Sequence, residues 1–130
     1  MSHERTLRAL LAAIEAGASR DDIAVFYHPE ALMEVFPNRM SPAGARMDLA
    51  GILQSSESGQ KLMARQRFDV RTVTELGDRL VAEFKWTGEL AMPLGLMGAG
   101  ERLSAQIVQV LEFEDGRIIR QRTYDCYDPA

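Results

Sequence analysis

The feature that most restricts the possible fold is a pair of long strand-like segments late in the sequence. Residues 102–113 and Arg117–Tyr127 are rich in β-branched, aromatic and long side chains, and only Glu114, Asp115 and Gly116 separate them. A glycine in a short turn between two such segments is typical of a β-hairpin. Few single-domain folds begin with helical segments and finish with a long hairpin.

The first half of the chain shows helical spacing. Apolar side chains three and four residues apart predict a helix over residues 4–16, with Ser2 as its N-cap. Acidic residues favour the first turn of a helix and predict a second helix over residues 21–27. A third helix is predicted over residues 47–64.

Further strands complete the pattern. They are predicted over residues 31–36, 67–74 and 79–88, because these segments carry β-branched and aromatic side chains between turn residues. The order of the elements predicts one α+β domain over residues 1–130, in which three helices pack on one face of a curled antiparallel sheet.

Composition and charge argue against several classes of partner. The net charge of −4 gives no attraction to phosphate backbones, so no nucleic-acid partner is expected. No apolar segment reaches the roughly 18 residues that cross a bilayer, so no membrane partner is expected. The first residues lack the apolar core of a signal peptide, and we expect a cytoplasmic location.

Cysteine and histidine usage gives no sign of a metal site or a cofactor. Cys126 is the only cysteine, so an intramolecular disulfide and a cysteine-based zinc site are impossible. We expect its thiol to be buried and inert. His3 and His28 are too few and too far apart in sequence for a metal site, and no spacing implies an organic cofactor.

The last third of the chain resembles a known family. Residues 88–129 share with SnoaL-like proteins a Gly-x-Leu strand end, a loop rich in Gly, Pro and Met at residues 92–100, a strand ending Glu-Phe-Glu-Asp-Gly-Arg-Ile, and a final Arg-x-Tyr-Asp sequence. These proteins belong to the superfamily of nuclear transport factor 2, ketosteroid isomerase and limonene epoxide hydrolase. The resemblance implies a cystatin-like, cone-shaped fold with a ligand cavity at its wide end, and a homodimer.

The resemblance does not carry over the isomerase base. Ketosteroid isomerases hold a carboxylate where this chain has Val35, and Glu34 points the other way because side chains alternate along a strand. Their oxyanion tyrosine aligns near Leu11, and its partner acid aligns near Gln109, whose amide can still donate a hydrogen bond. Steroid isomerisation by the usual residues is therefore disfavoured.

The residues of limonene epoxide hydrolase are also missing. Its catalytic Arg and Asp align with Phe84 and Trp86, so epoxide hydrolysis by that set is disfavoured. The two aromatic rings are expected either to wall a cavity for a planar ligand or to be plain core. The other residues predicted to contact a ligand are Tyr27, Met33, Val35, Met97, Gln109 and Tyr124.

Polyketide cyclases of the family use an Asp near the end of the last strand as acid and base. Our alignment puts Cys126 at that place, and a shift of one residue would put Asp125 there. We predict Asp125 as the catalytic residue, and the alternative is an outward carboxylate bonded to Arg120 or Arg122. His28 is a second catalytic candidate because its ordinary pKa is near neutrality, although a His before a proline in a helix-to-strand turn, as His28 is before Pro29, is more often a surface residue.

Three functions remain open at the level of sequence. The leading one is proton transfer on an apolar, cyclic, carbonyl-containing metabolite: isomerisation, aldol cyclisation or dehydration. The second is a non-catalytic module of the same fold that binds a small apolar molecule or dimerises. The third is a protein–protein adaptor, which would need an exposed apolar patch.

Overall fold

The computed structural model describes residues 2–129, which form three helices and six strands. The helices are α1 (His3–Glu15), α2 (Arg20–Ala24) and α3 (Leu49–Leu62). The strands are β1 (Tyr27–Val35), β2 (Ala45–Asp48), β3 (Met63–Leu76), β4 (Arg79–Leu90), β5 (Arg102–Glu114) and β6 (Arg117–Tyr127).

Side-chain caps fix where the helices begin. The Ser2 hydroxyl accepts a hydrogen bond from the Arg5 amide at the start of α1, as predicted, and the Asp48 carboxylate accepts one from Gly51 at the start of α3. Helix α1 buries Leu7, Leu10 and Leu11 against the sheet. The predicted helices are therefore present, with ends that move by a few residues.

Two predictions about residues 21–48 were wrong. The second helix was expected to reach Tyr27 but ends at Ala24, because β1 begins at Tyr27 and its amide and carbonyl groups enter the sheet. Strand β2 was not predicted at all, and its residues were partly assigned to the third helix. β2 has four residues, which is too short for a periodic pattern, and it exists through pairing with β1.

The six strands form one curled sheet in the order β2-β1-β6-β5-β4-β3. Neighbouring strands are antiparallel except for β1 and β6, which run parallel with Tyr27 beside Ile118 and Val35 beside Thr123. β6 therefore lies inside the sheet between β1 and β5, while β2 and β3 are the two edge strands of the sheet.

Alternation along the strands separates a concave, helix-covered face from an outer face. On β4 every second residue from Leu80 to Leu90 is buried, and Leu80, Ala82 and Phe84 share one apolar core with residues of the three helices. A second apolar cluster surrounds Trp86, Leu90, Leu103 and Ala105 near the loop of residues 91–101. Of the helices within residues 2–129, none has the length and apolar character that crossing a bilayer requires.

Candidate functional site

A cavity of about 210 Å³ lies between the helices and the concave face of the sheet. Apolar side chains from α1, α2 and α3 cover it, and the polar groups come from the strands and from the middle of α3. Its walls are formed by Leu10, Leu11, Ile14, Ile23, Tyr27, Met33, Ile52, Ser55, Ser56, Gly59, Gln66, Phe68, Gln109 and Gln121. A largely apolar cavity with a few polar groups is typical of a small-molecule site.

Three polar side chains form a chain of hydrogen bonds along one wall. The Tyr27 hydroxyl donates to Gln121 Oε1 at 2.8 Å, and Gln121 Nε2 donates to the Thr123 hydroxyl at 3.4 Å. Burial raises the pKa of Tyr27 above its ordinary value, so the phenol stays neutral and keeps its proton for Gln121. This network orients the Gln121 amide beside the cavity.

Asp125 continues the same face of β6. It follows Gln121 and Thr123 at every second position and lies opposite Ile107 of β5. Its Oδ1 atom is buried and has no hydrogen-bond partner within residues 2–129. Burial raises the pKa of the Asp125 carboxyl to about 6, because a charged carboxylate is poorly solvated there.

Cys126 lies on the opposite face of β6 from Asp125. Its side chain is exposed, so the expectation of a buried thiol was wrong. The reason is alternation: a strand that turns Gln121, Thr123 and Asp125 towards the helices turns the residues between them outward.

Tyr127 and Arg39 extend the polar group beyond Asp125. Burial, and then the nearby Asp125 carboxylate, raise the pKa of Tyr127 to about 12, while the Arg39 guanidinium acts in the opposite direction. Arg39 lies over the Tyr127 ring, 5.9 Å from its centroid. Sequence reasoning missed both residues. The two-residue step from Asp125 pointed to Tyr127, but no local pattern marks Arg39, which lies in the turn after β1.

Trp86 and Phe84 both point to the concave face, as predicted for β4. The Trp86 indole N–H donates to Gln66 Oε1 at 3.0 Å, which links it to the cavity wall. Phe84 is only 1% exposed, and its ring meets Phe68 edge to face with centroids 5.5 Å apart. Phe84 is thus packed in the core beneath Phe68, and the Phe68 ring, not the Phe84 ring, lines the cavity.

The other predicted ligand contacts are divided between the cavity and other places. Tyr27, Met33 and Gln109 line the cavity, and Val35 is two residues beyond Met33 on the same side of β1. Met97 packs in the cluster around Trp86 rather than on the cavity wall.

Tyr124 lies on the outer face of β6. Its ring stacks on Phe36 with centroids 4.5 Å apart, and 39% of the residue is exposed. In the C-terminal half of β6 the even-numbered side chains point away from the helices. The structure therefore does not bring Tyr124 together with the residues of the cavity.

His28 is held at the β5–β6 turn. Its Nε2 lies 3.1 Å from Glu114 Oε2, and its Nδ1 accepts a hydrogen bond from the Glu30 amide at 3.0 Å. The structure does not place it on the cavity wall or bring it together with Asp125.

The surroundings of His28 also bear on metal binding. Ligand atoms of His28, Glu114 and Asp115 lie within 4.8 Å of one another. A nitrogen that accepts from an amide carries no proton, so the Nε2 of the neutral ring is protonated and donates to Glu114. This arrangement leaves the ring without a lone pair directed at a cation beside Glu114.

The model of the SnoaL-like domain family matches residues 7–121. The chain belongs to the SnoaL-like family. No curated protein sequence matches it significantly.

Solved structures agree with this SnoaL-like assignment at the level of fold. IdmH, a candidate polyketide cyclase from Streptomyces antibioticus, has a TM-score of 0.80 at 18% identity, covering 96% of this chain and 92% of that one. A candidate SnoaL-like polyketide cyclase from Jannaschia sp. CCS1 gives 0.75 at 19%, covering 95% and 84%. A candidate isomerase from Bacillus subtilis gives 0.72 at 24%, covering 99% and 91%. The predicted cone-shaped α+β fold is confirmed.

Proposed function

We propose that this SnoaL-like protein binds an apolar, cyclic, carbonyl-containing metabolite in its cavity and transfers a proton on it. The reaction would be an isomerisation, an aldol cyclisation or a dehydration, with Asp125 as general base and acid. The observation that carries the proposal is the Asp125 carboxyl, which is turned to the concave face with its Oδ1 buried and without a hydrogen-bond partner among residues 2–129.

The environment of Asp125 suits a base that works near neutrality. A general base is most effective when its pKa lies near the working pH, and burial raises the pKa of Asp125 to about 6. In our proposal the carboxylate removes a proton from the carbon next to the carbonyl. The resulting acid then returns that proton to another carbon in an isomerisation, to the new alkoxide oxygen in an aldol cyclisation, or to the leaving hydroxyl in a dehydration.

Neutral donors beside the carboxylate would stabilise the enolate oxygen that forms. Tyr127 remains a phenol because its pKa is raised to about 12, and the Gln109 amide lies on the cavity wall. Hydrogen-bond donors held in a site that excludes water stabilise an oxyanion more strongly than water does. The apolar side chains of α1 and α3 cover the part of the cavity that Gln109 lines.

One observation favours a non-catalytic binding module instead. Asp125 does not itself line the 210 Å³ cavity, and the polar Tyr27 and Gln121 on its wall are bonded to each other. A container for an apolar ligand would need nothing more. In either case we place the protein in the cytoplasm as a homodimer.

Exchange of hydrogen for deuterium tests proton transfer without knowledge of the natural substrate. We would incubate the protein in D2O with cyclic 1,3-diketones and cyclohexenones and follow loss of the α-proton signal by NMR. The wild type should accelerate exchange, and Asp125→Asn should lower the rate by about 100-fold or more, because a positioned base contributes that much.

The matched control is Asp21→Asn, which makes the same change at an exposed site on α2. This variant should keep the wild-type rate, and both variants should keep the circular dichroism spectrum of the wild type. Equal exchange rates for wild type and Asp125→Asn would remove Asp125 from the mechanism. If an NMR titration shows that these ketones bind but their exchange is not accelerated, the protein is a non-catalytic binding module.

A further inference from the structure

The outer face of β3, β4 and β5 carries a groove rich in positive charge. Its volume is about 550 Å³, larger than that of the internal cavity. Five of its lining residues are basic, namely Arg65, Arg67, Arg71, Lys85 and Arg102, and two are acidic, Asp69 and Glu89. The groove thus has an excess of three positive charges in a chain whose net charge is −4.

Ion pairs within the groove leave part of this charge uncompensated. Arg65 lies 3.7 Å from Glu89, and Arg71 lies 3.2 Å from Asp69. Within residues 2–129, the side chains of Arg67, Lys85 and Arg102 have neither an ion pair within 4.0 Å nor a hydrogen bond.

The strand register brings these three cations around one hydroxyl. Thr87 of β4 lies directly opposite Arg67 of β3, and Lys85 is the next outward residue of the same strand. Arg102 lies opposite Glu89, which makes it a diagonal neighbour of Thr87. Diagonal neighbours in a sheet are about 7–8 Å apart, within reach of long side chains. The Thr87 hydroxyl has no hydrogen-bond partner in the described part of the chain.

We propose that this outer groove binds the phosphate or diphosphate group of a soluble small molecule, held by Arg67, Lys85, Arg102 and Thr87. Arginine can donate two parallel hydrogen bonds to a phosphate, lysine supplies a compact charge, and the hydroxyl donates one more hydrogen bond. Lys85 lies directly opposite Asp69 and Arg102 directly opposite Glu89, but these two carboxylates form their ion pairs with Arg71 and Arg65.

The size and charge of the groove favour a small ligand over a polymer. The cations occupy neighbouring positions on three strands, a width of about 10 Å at the usual strand spacing. A negatively charged chain repels long polyanions at a distance, whereas a single phosphate group meets only the local excess of positive charge. The groove is separate from Asp125, so the inference does not depend on the proposed reaction.

Titration with inorganic pyrophosphate tests the proposal. Isothermal calorimetry at physiological salt should show binding to the wild type, and the double variant Arg67→Gln, Lys85→Gln should weaken it by about tenfold or more. The control is Arg46→Gln on β2, a similarly exposed arginine beside Glu34, which should change the affinity by less than about twofold. Inorganic phosphate in a parallel titration should bind more weakly than pyrophosphate.

Three results would overturn the proposal. The first is the absence of any heat of binding when pyrophosphate is added to the wild type. The second is a loss of affinity in the Arg46→Gln control as large as that in the double variant. The third is a wild-type protein that binds only to vesicles containing phosphatidylserine in a flotation assay. The last result would assign the groove to a membrane surface. All the substituted side chains lie on the sheet surface, and circular dichroism will show that the variants keep their fold.

Discussion

At the scale of single residues, Asp125 has an effect on stability that is separate from any reaction. Its carboxyl has a pKa of about 6 when folded, compared with the ordinary aspartate value of 3.8 when unfolded. The folded state therefore holds the proton more tightly. Between about pH 4 and pH 6 the unfolded chain ionises first, so this group lowers the free energy of unfolding as the pH rises, and the loss is complete above the folded pKa.

We therefore expect Asp125→Asn to be more stable than the wild type at pH 8 but not at pH 4. The gain is at most about 3 kcal/mol, since each pKa unit corresponds to about 1.4 kcal/mol and part of the side chain meets solvent. Urea denaturation of both proteins at the two pH values measures it. A difference that is the same at both pH values would show that the carboxyl is not desolvated.

The orientation and contacts of single side chains were the features least predictable from the sequence. Alternation along β6 offered only a choice between Asp125 and Cys126, because a shift of one residue exchanges the two faces. The alignment near Gly116 did not fix that shift, whereas the pairing of Thr123 with Gln109 does. His28 and Tyr124 were nominated from residue type, which says nothing about contacts to Glu114 or Phe36.

At the scale of elements, long patterned segments were predictable and short ones were not. The bounds of β6 were predicted as observed, because its apolar and polar pattern is bounded by a glycine turn. Strand β3 extends beyond the predicted residues 67–74 at both ends, where pairing with β4 outweighs weak local preference. β2 depends on tertiary pairing alone.

Two glycines provide a matched test of packing in different elements. A Cβ at Gly88 of β4 would lie 2.5 Å from Trp86 Cζ2 and 2.8 Å from Met63 Sδ, whereas one at Gly59 of α3 meets nothing within 4 Å. Gly88→Ala should lower the free energy of unfolding by about 1–3 kcal/mol, because the indole must move. Gly59→Ala should raise it by about 0.5–1 kcal/mol, because alanine favours a helix.

Trp86 is the only tryptophan, so its fluorescence reports on the same change. Displacement of the indole from Gln66 should shift its emission in Gly88→Ala and leave it unchanged in Gly59→Ala. Chemical denaturation followed by this signal gives both quantities in one experiment. Equal stabilities for the two variants would mean that the Trp86 ring is not confined.

At the scale of the whole molecule, the outer face of β5 and β6 has apolar character that a second copy can cover. Val108 and Val110 are half-buried there, and Leu32 of β1 is 47% exposed. A homodimer remains a prediction. Light scattering after size-exclusion chromatography should give twice 14.5 kDa for the wild type.

A lysine at the predicted interface should separate the copies. Val108→Lys should return the monomer mass, because a charge would be buried between the two sheets. Leu76→Lys, at an exposed apolar position near the β3–β4 turn, should remain dimeric. A wild type that elutes as a monomer at micromolar concentration would exclude the dimer.

The parallel pairing of β1 with β6 has a consequence for synthesis on the ribosome. Tyr27 finds its partner only at Ile118, so β1 and the short β2 that depends on it have no inner neighbour until the final hairpin has emerged. Contacts so distant in sequence form late and slowly. During translation the apolar sides of β1 and α1 are therefore exposed and prone to aggregate until the final hairpin has emerged. A chaperone would have its greatest effect during this period.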